Sequence, residues 1–376
     1  MKSRINFVMS KAAATIALLM AIGFLNPAHA QTTTAIRGVV VNQQDVPVSD
    51  ASVTITHTAS GTVSLASSNE NGVFSARGLR VGGPYSVEIK GSGFSAVQVD
   101  DLYLALDRTL NLPVTVQSDQ AIEEIVVTGT RKSVGYKNEG LGTDLGIEAL
   151  GEVVSIDRDI TDAAAQNPFA IVNVQSGGAK ELTIAGANNR FNSLTIDGVA
   201  LNDRFGLNAN GYPTQRSPIS YDAIESLSIQ TAPFDVEYNG FTGGTINAVT
   251  KSGTNDFFGS LAYYSTDDSL IGDKNNDQDF DFTFEEETTV ATLGGPIIED
   301  KLFFFVAYDK YEEIAPLQRG PVGSGALNIE DNITLQDVAE VGQIISDVWG
   351  FDIGDFNKAP AKDEKILANV DWNISE

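Results

Sequence analysis

The chain has 376 residues, no cysteine, two histidines and a net charge of −26 at neutral pH. A surface this acidic repels nucleic acid, because binding to DNA or RNA needs cationic side chains that neutralise phosphates. The absence of cysteine excludes thiolate nucleophiles, thiolate metal sites and Fe–S clusters.

The N-terminus has the pattern of an export signal. Three cations precede or border an uncharged apolar run at 12–25, and Ala28-His29-Ala30 fits the small-x-small cleavage pattern. The run is too short for a comfortable transmembrane helix. We therefore predict a signal peptide over residues 1–30.

Cleavage leaves His57 as the only histidine of the mature chain. It lies in the alternating segment 52–58, where we expect a solvent-facing strand position. A serine triad would have to use this one residue, and histidine-rich metal sites are excluded. Because most enzyme classes lose their usual catalytic groups, we predict a protein that is not an enzyme and needs no cofactor.

Residues 31–117 have the pattern of a small all-β domain. Runs such as 36–41 and 51–55 are strand-like, and short strands at this spacing predict a sandwich. Turn signals separate the strands at residues 69–72, 81–84 and 91–93.

These segments resemble the carboxypeptidase regulatory-like domain, which is a transthyretin-like β-sandwich. The resemblance covers nearly the whole domain, and the family name does not imply peptidase activity. The matching segments are Gly38-Val39-Val40, Val46-Pro47-Val48, Ala51-Ser52-Val53-Thr54-Ile55, Asn71-Gly72-Val73-Phe74, Gly78-Leu79, Gly83-Pro84-Tyr85-Ser86-Val87 and Gly93-Phe94.

A linker at 118–139 contains one short run of strand-forming residues, with no second strand-like run in the linker to pair with it. Branched residues at its centre are strong β formers, and a short tethered strand can add itself to the open sheet edge of another protein. The run consists of Glu123, Glu124, Ile125, Val126, Val127 and Thr128.

This run resembles the TonB box of TonB-dependent outer-membrane transporters. The resemblance implies that TonB, with its inner-membrane energising complex, captures the strand by backbone pairing and transmits force from the proton gradient. An ordinary edge strand of the preceding domain is the alternative.

Residues 140–252 are predicted to form a compact mixed α/β domain. Asn167-Pro168 is expected to begin a helix, with Asn at the cap and Pro in the first turn. Strand-like stretches follow at residues 182–184, 193–196 and 224–229.

This domain resembles the plug of the same transporters. Where many plugs have an Arg-Gly-Pro element, residues 231–240 read Thr-Ala-Pro-Phe-Asp-Val-Glu-Tyr-Asn-Gly. That version resembles the Oar-like branch and weakens a siderophore assignment. The matching segments are Ile184-Ala185-Gly186, Asn189-Arg190-Phe191, Leu194-Thr195-Ile196-Asp197-Gly198-Val199, Ile224-Glu225-Ser226-Leu227-Ser228-Ile229 and Gly243-Gly244-Thr245-Ile246-Asn247-Ala248-Val249-Thr250-Lys251.

Five motif residues stand out in these segments: Arg190, Asp197, Gly198, Gly243 and Gly244. In the family, plug arginines often pair with carboxylates of the barrel wall, which is the role implied for Arg190. A surface arginine is the alternative. We expect Gly243 and Gly244 to mark tight backbone packing and not phosphate binding.

Residues 253–376 are predicted to form the first strands of an incomplete transmembrane β-barrel. In 365–374, every second residue is apolar, as in a membrane strand of ~9–11 residues. Further strands are predicted at residues 257–265, 285–293 and 302–308.

The segment 293–304 resembles the strand, short turn and strand of Oar-like barrels. The resemblance places the turn at Glu299-Asp300 in the periplasm and the long connections 266–284 and 314–364 outside. In the second connection, Thr334 and Asp337 predict the start of a packed helix that ends at Gly350.

Only about four barrel strands fit before Glu376, whereas closed barrels begin at about 8 strands and plugged transporters need about 22. We therefore expect this sequence to be the N-terminal part of a longer protein.

An acidic segment at 273–281 places oxygen atoms at alternate residues, as in a calcium loop. Gln278 stands where glycine is required, and Phe284 stands where the bidentate Glu belongs. A solvated acidic loop is therefore the favoured interpretation over a calcium site. The candidate ligands are Asp273, Asn275, Asp277, Asp279 and Asp281.

The sequence predicts a mainly β protein, and the resemblance implies a place in the Gram-negative outer membrane, with the sandwich and the TonB box in the periplasm. The function that the resemblance implies is TonB-dependent active transport of a scarce or large ligand. The implied partners are TonB, outer-membrane lipid and an unknown extracellular ligand, with no nucleic acid. Adhesion or export on the same scaffold and a soluble periplasmic binding module are the alternatives, and a sandwich-domain hydrolase is disfavoured.

Overall fold

A computed structural model describes the chain from residue 32 to residue 373 with internal gaps. Predictions that concern the signal peptide at 1–30 lie outside the described residues. The gaps are residues 107, 118–124, 128–134, 137–140, 156–157, 175–179, 232, 234–240, 271–273, 276–277, 280–283, 316, 318, 325, 327 and 355–358.

Two sheets form the N-terminal sandwich. One has the strand order β4-β1-β7-β9, and the other has the order β3-β2-β5-β6-β8. The strands are β1 Thr33–Asn42, β2 Ser52–His57, β3 Thr62–Ser67, β4 Val73–Arg80, β5 Gly82–Lys90, β6 Val97–Leu104, β7 Thr109–Val116, β8 Ile125–Val127 and β9 Gly135–Tyr136.

The core of the sandwich lies between these two sheets. Alternate residues of each strand point inward, so Ile36 and Val40 from one sheet meet Ile55 and Ile89 from the other, and all four are fully buried. β1 pairs with β4 antiparallel and with β7 parallel, which places it inside its sheet. The predicted β-sandwich is thus confirmed, although the predicted turn at 81–84 is reduced to Val81 between β4 and β5.

The prediction for His57 was wrong, because its side chain is only 5% exposed. Val53, Ile55 and His57 share the inward face of β2. The imidazole lies 4.8 Å from the ring of Tyr85, and its Nδ1 is 2.7 Å from Ser60 Oγ. Burial and the nearby Arg80 guanidinium lower the pKa of His57 to about 4.

A mixed α/β domain follows the sandwich. Its main sheet has the order β10-β15-β16-β13-β14, and β11 and β12 form a separate hairpin. The elements are β10 Gly142–Gly146, α1 Ile147–Glu152, α2 Ile160–Ala164, β11 Ala170–Val174, β12 Lys180–Ile184, β13 Ser193–Ile196, β14 Val199–Ala200, β15 Ile224–Gln230 and β16 Thr245–Thr250.

No helix begins at Asn167-Pro168, so that prediction was wrong. The helix α2 lies earlier and is capped by Asp159, whose carboxylate accepts from the Thr161 amide. The Asn167 side chain accepts from the Phe169 amide instead, at 2.9 Å. That bond closes a turn into β11, which shows the preference of Asn for turns as well as for helix caps.

Four long strands form an antiparallel wall with the order β17-β20-β21-β24. Shorter elements lie in the connections between them. The elements are β17 Phe258–Asp267, β18 Lys274–Asn275, β19 Gln278–Asp279, β20 Glu285–Ile298, β21 Leu302–Ala315, β22 Gly320–Val322, β23 Ile329–Thr334, α3 Leu335–Trp349 and β24 Ala359–Trp372.

The predicted alternation of the last wall strand is confirmed over the residues that the structure describes. Ile366, Ala368, Val370 and Trp372 are exposed on the outer face of β24. The intervening residues are partly buried and face the mixed domain. The register aligns this outer apolar row with β21, because Tyr308 pairs with Ile366.

The inner face of the wall packs against the mixed domain. Phe303, Phe305 and Ala307 are buried on β21, and the last two join the core cluster of the mixed domain. The ring of Phe258 from β17 stacks on Phe305, with the centroids 6.1 Å apart. The wall and the mixed domain therefore share one hydrophobic core.

The predicted tight turn between β20 and β21 is confirmed. β20 ends at Ile298 and β21 begins at Leu302, and Asp300 adopts a left-handed φ of 61°. The register pairs Ile298 with Leu302. This turn defines one end of the wall, which we call the turn end.

The helix α3 is confirmed at both termini. Thr334 and Asp337 form a capping box, and Gly350 ends the helix with a φ of 64°. The expectation that the helix is packed was wrong, because none of its residues is buried and its neighbours are the short strands β22 and β23. Among the described residues, no helix combines the length and the apolar character needed to cross a membrane.

Candidate functional site

The strand-forming run of the linker lies on the sandwich. Ile125–Val127 forms β8, which pairs with β6 in parallel as the fifth strand of its sheet. Residues Glu123, Glu124 and Thr128 lie outside the described part of the chain. The register matches Val97 with Ile125 and continues for three residue pairs.

The linker contacts the sandwich a second time before it enters the mixed domain. Gly135–Tyr136 forms β9, which pairs antiparallel with β7 at the edge of the other sheet. A few residues further on, β10 begins the mixed domain as the edge strand of its main sheet, paired with β15. The chain therefore runs from one sandwich sheet to the other and then directly into the mixed domain.

An ion pair fastens β10 to the sandwich. The Arg108 guanidinium, from the connection between β6 and β7, pairs with the Asp144 carboxylate and donates to the Gly142 carbonyl at 3.1 Å. Burial raises the pKa of Asp144, and hydrogen bonds from Ser228 and the charge of Arg108 oppose that rise. Removing one partner of such a buried pair leaves an uncompensated charge.

The sandwich is also attached to the wall at its turn end. Arg80 pairs with Asp371 of β24 at 3.5 Å and donates to the Gly253 carbonyl at 3.4 Å. Asn373 donates to the Thr62 hydroxyl at 2.9 Å. These contacts hold the sandwich beside the turn end of the wall.

The predicted motif residues Asp197 and Gly198 form the turn of the β13–β14 hairpin. Both have left-handed φ values, of 47° and 76°, and two such residues in succession match a type I′ turn. The Asp197 carboxylate also accepts from the Thr250 amide at 2.9 Å and from its hydroxyl at 2.7 Å. The hairpin is thereby tied to the end of β16.

Gly243 and Gly244 lie where the chain enters β16 and leave no room for a side chain. A Cβ on Gly243 would collide with the Asn192 side-chain oxygen. A Cβ on Gly244 would lie 2.6 Å from Ile184 Cγ2. The Asn192 oxygen also accepts from the Gly244 amide at 3.0 Å.

The structure does not place Arg190 against the described wall strands, and its side chain is exposed. A different arginine makes that contact. The Arg216 guanidinium lies 3.4 Å from the ring centroid of Tyr311 on β21 and 3.9 Å from the Asp363 carboxylate on β24. Sequence reasoning missed Arg216, although Tyr311 and Asp363 occupy inward positions of their strands and signal a polar inner face.

A second missed arginine lies inside the mixed domain near the wall. Arg158 pairs with the Asp222 carboxylate. Its guanidinium lies 4.6 Å from the ring centroid of Tyr221 and 5.1 Å from that of Tyr264 on β17. Cation–π contacts of this kind favour arginine over lysine.

A cavity of about 580 Å³ opens between the mixed domain and the wall, away from the turn end. Asn208, Asn210 and Arg216 line one side, and Glu286 and Tyr311 line the other. The loop that supplies the first group is held by its own side chains. For example, the Asn210 amide donates to the Gln215 carbonyl at 2.8 Å.

The structure does not test the calcium candidates. Asp273, Asp277 and Asp281 lie outside the described residues, and Asn275 and Asp279 are described only as backbone in the β18–β19 hairpin. In the part of the chain that the structure describes, no three His, Cys, Asp or Glu side chains group as a metal site.

Three family models match the chain in the order that the structure shows. The carboxypeptidase regulatory-like domain matches residues 35–117, the TonB-dependent receptor plug domain matches residues 154–245, and the outer membrane beta barrel domain matches residues 249–319. The chain belongs to the TonB-dependent outer-membrane receptors and transporters. The mixed domain is therefore a plug, the wall is part of an outer-membrane β-barrel, and the protein is located in the outer membrane.

Curated relatives agree with this assignment. The chain is 27% identical over 312 residues to the TonB-dependent transporter Oar of Myxococcus xanthus, which covers 77% of this chain and 28% of the relative. It is 25% identical over 209 residues to the probable TonB-dependent siderophore receptor PirA of Acinetobacter baumannii, covering 51% of this chain and 25% of that protein. The chain thus spans about a quarter of the length of these relatives.

Among solved structures, the chain is similar to the outer membrane transporter YddB from Escherichia coli. The TM-score is 0.43 at 12% identity, and the match covers 63% of this chain and 31% of the other. Of the three matched family models, one names a TonB-dependent receptor and one names an outer membrane β-barrel.

Proposed function

We propose that the protein carries out TonB-dependent active transport of an extracellular ligand across the outer membrane. The observation that supports this most directly is the path of the chain. The candidate TonB box at 123–128 lies shortly before β10, the edge strand of the plug sheet, and the plug core is completed by Phe305 and Ala307 of the wall. Force applied to the box would therefore act on the plug where it is seated in the barrel.

Each part of the site has a role in this proposal. TonB pairs with the backbone of residues 123–128, because extended strands bind through main-chain hydrogen bonds. The plug motif residues Asp197, Gly198, Gly243 and Gly244 keep the sheet compact until it is pulled. Arg190 is assigned no wall partner here, and Arg216 supplies the observed contact with the wall.

The ligand enters from the end of the barrel that lies opposite the sandwich. The cavity beside Arg216 opens on that side and combines amide, carboxylate, aromatic and cationic groups. The sandwich and the box lie in the periplasm, where TonB is accessible. The relatives named above are a transporter and a siderophore receptor, which supports transport and leaves the ligand of this protein open.

The proposal is tested with a deletion of residues 122–129 in the full-length protein. Because the box couples energy and does not bind ligand, we expect the deletion strain to show the same growth defects as a gene deletion across nutrient-limited cultures. The amount of protein in the outer membrane should remain normal. The proposal would be refuted if the strain that lacks residues 122–129 grew like the wild type in every condition that slows the strain without the gene.

A matched control separates the sequence of the box from its length. Replacing residues 122–129 with a Gly/Ser segment of equal length keeps the tether and removes the β-forming residues. This variant should also behave as the gene deletion. A purified periplasmic fragment of TonB should bind the wild-type protein and neither variant.

A further inference from the structure

The edge of β6 is an acceptor for an added strand, and the chain itself supplies that strand. β6 pairs with β5 along one edge and with Ile125–Val127 along the other. A sheet edge presents unpaired N–H and C=O groups that bind extended segments. The three residues that occupy it are the centre of the candidate TonB box.

The part of the chain from β8 to β10, which we call the coupling segment, contacts the sandwich at three successive points. β8 lies on β6, β9 lies on β7, and Arg108 holds β10 through Asp144 and the Gly142 carbonyl. The two strand contacts involve only three and two residues, so each is weak by itself. Such short pairings are suited to repeated opening.

The sandwich is itself attached to the wall, so it should stay in place when the coupling segment is pulled. Arg80 pairs with Asp371 of the wall, and Asn373 donates to Thr62. Between these two contacts the domain is fixed at the turn end. Tension on the box would therefore separate β8 from β6 before it reaches the plug.

We propose that this edge of β6 is a docking site for the TonB box, which keeps the box bound to the sandwich, in a parked state, until TonB takes the strand away. This inference rests on the proposed function, because it assigns the state from which TonB capture begins. The sandwich then limits how often the box is available. The apparent affinity of TonB is lowered by the fraction of time that the box is docked.

The test introduces two cysteines into these 376 residues, which have none of their own, and any cysteine elsewhere in the full-length protein is first replaced by serine. The register places the Cα atoms of Gln98 and Val126 opposite each other on neighbouring strands. Neighbouring strands lie about 4.8 Å apart, which is within the Cα separation that a disulfide spans. The full-length double variant Gln98→Cys/Val126→Cys is therefore expected to cross-link by oxidation or with a short reducible thiosulfonate reagent.

A matched control keeps the cysteine at position 98 and moves its partner. Gln98 also pairs with Glu88 across β5 and β6. The variant Gln98→Cys/Glu88→Cys should cross-link within the sandwich and leave the box free. Both variants are compared, oxidised and reduced, for binding of a purified periplasmic fragment of TonB.

Cross-linking of the first pair should weaken TonB binding by at least about tenfold, and dithiothreitol should restore it. The control pair should bind equally in both states. Failure of the first pair to cross-link while the control does would overturn docking. A cross-linked box that still binds TonB normally would overturn parking, because TonB would then use the other edge of β8.

This experiment separates the inference from the function on which it rests. The yield of the cross-link reports docking without any TonB present. If the reduced proteins and the wild type all fail to bind the TonB fragment, the proposed function fails, whatever the cross-linking shows. If they bind and the locked form does not, both hold.

Discussion

The sandwich and the barrel wall use the same alternation of side chains in opposite senses. In the sandwich, apolar residues such as Ile55 and Val87 point inward, and the outer positions are more polar. In the wall, apolar residues such as Ile366 and Val370 point outward, and the inner positions of β21 include Asp309 and Tyr311. Period alone therefore does not tell which face is the core.

The difference lies in what covers each face. The inner faces of the sandwich sheets cover each other, whereas the outer face of the wall meets lipid and its inner face meets the plug. Phe305 and Ala307 show this dependence, because they belong to the plug core and not to a core of their own. The wall strands therefore need lipid on one face and the plug on the other, whereas the sandwich forms a core from its own two sheets.

The largest effect should come from the sandwich core. Replacing the buried Phe74 by alanine should lower the free energy of unfolding of the sandwich by about 3–5 kcal/mol, through lost transfer energy and a cavity. Hydrogen exchange of the β2 and β5 amides in the full-length protein measures this loss. Leu65→Ala at an exposed position of β3 is the control and should change stability by less than about 0.5 kcal/mol. Equal losses would contradict the assignment of the core.

A charge on the outer face of each region tests the comparison directly. Val370 is 62% exposed on the wall, and Leu65 is 77% exposed on the sandwich. Because only Val370 faces lipid, Val370→Arg should cost about 2–4 kcal/mol, whereas Leu65→Arg should cost less than about 0.5 kcal/mol. The folded fraction after insertion into lipid vesicles, read from heat-modifiable gel mobility, measures both. A similar cost at the two sites would break the comparison.

Acid should lower the stability of the sandwich between pH 6.5 and pH 4, a range in which the wall strands have no histidine to titrate. The folded-state pKa of His57 is about 4, below its ordinary value of 6.5, so the unfolded chain binds the proton more tightly. The histidine contribution is complete above pH 6.5 and is lost as pH falls towards 4, by up to about 3 kcal/mol. Hydrogen exchange of the sandwich across this range measures it. Both His57 and the carboxylates contribute to the dependence of sandwich stability on pH. In His57→Gln only the carboxylate contribution should remain, and an unchanged pH dependence would contradict the assignment to His57.

The smallest effect should come from the helix α3 in the connection between β21 and β24. Neither a core nor the plug covers it, so its stability depends mainly on its ends. Thr334→Ala removes the capping box and should destabilise the helix by about 1 kcal/mol. Faster exchange of the first α3 amides measures this, while β21 should stay unchanged. Spread of the effect into β21 would show that the helix is coupled to the wall.

Local patterns predicted the local structure well. The alternation in β24 and the capping box with Gly350 in α3 are signals that depend only on nearby residues, and both were confirmed. Asn167-Pro168 was misjudged because Asn serves turns and caps alike, and the competing helix α2 with its Asp159 cap was not recognised. The local pattern alone does not decide between these two uses of Asn.

Contacts between distant segments could not be predicted from the sequence. The inward position of His57 follows from the alternation of β2, which puts it on the face of Val53 and Ile55. Its partners Tyr85 and Ser60 do not follow from that pattern. Likewise, the contact of Arg216 with Tyr311 joins a plug loop to a wall strand that is distant from it in the sequence. The docking of Ile125–Val127 on β6 matches the edge-strand alternative, and its capture by TonB remains a prediction.

The parallel pairing of β1 with β7 has a consequence for biogenesis. Ala35 pairs with Thr109, so the first strand can pair with β7 only after nearly the entire domain has been synthesised. By then β4, β1 and β7 are all available, whereas β9 and the barrel strands come later in the chain. The proposed box would then meet an edge of β6 that is already formed, before any barrel strand has been made.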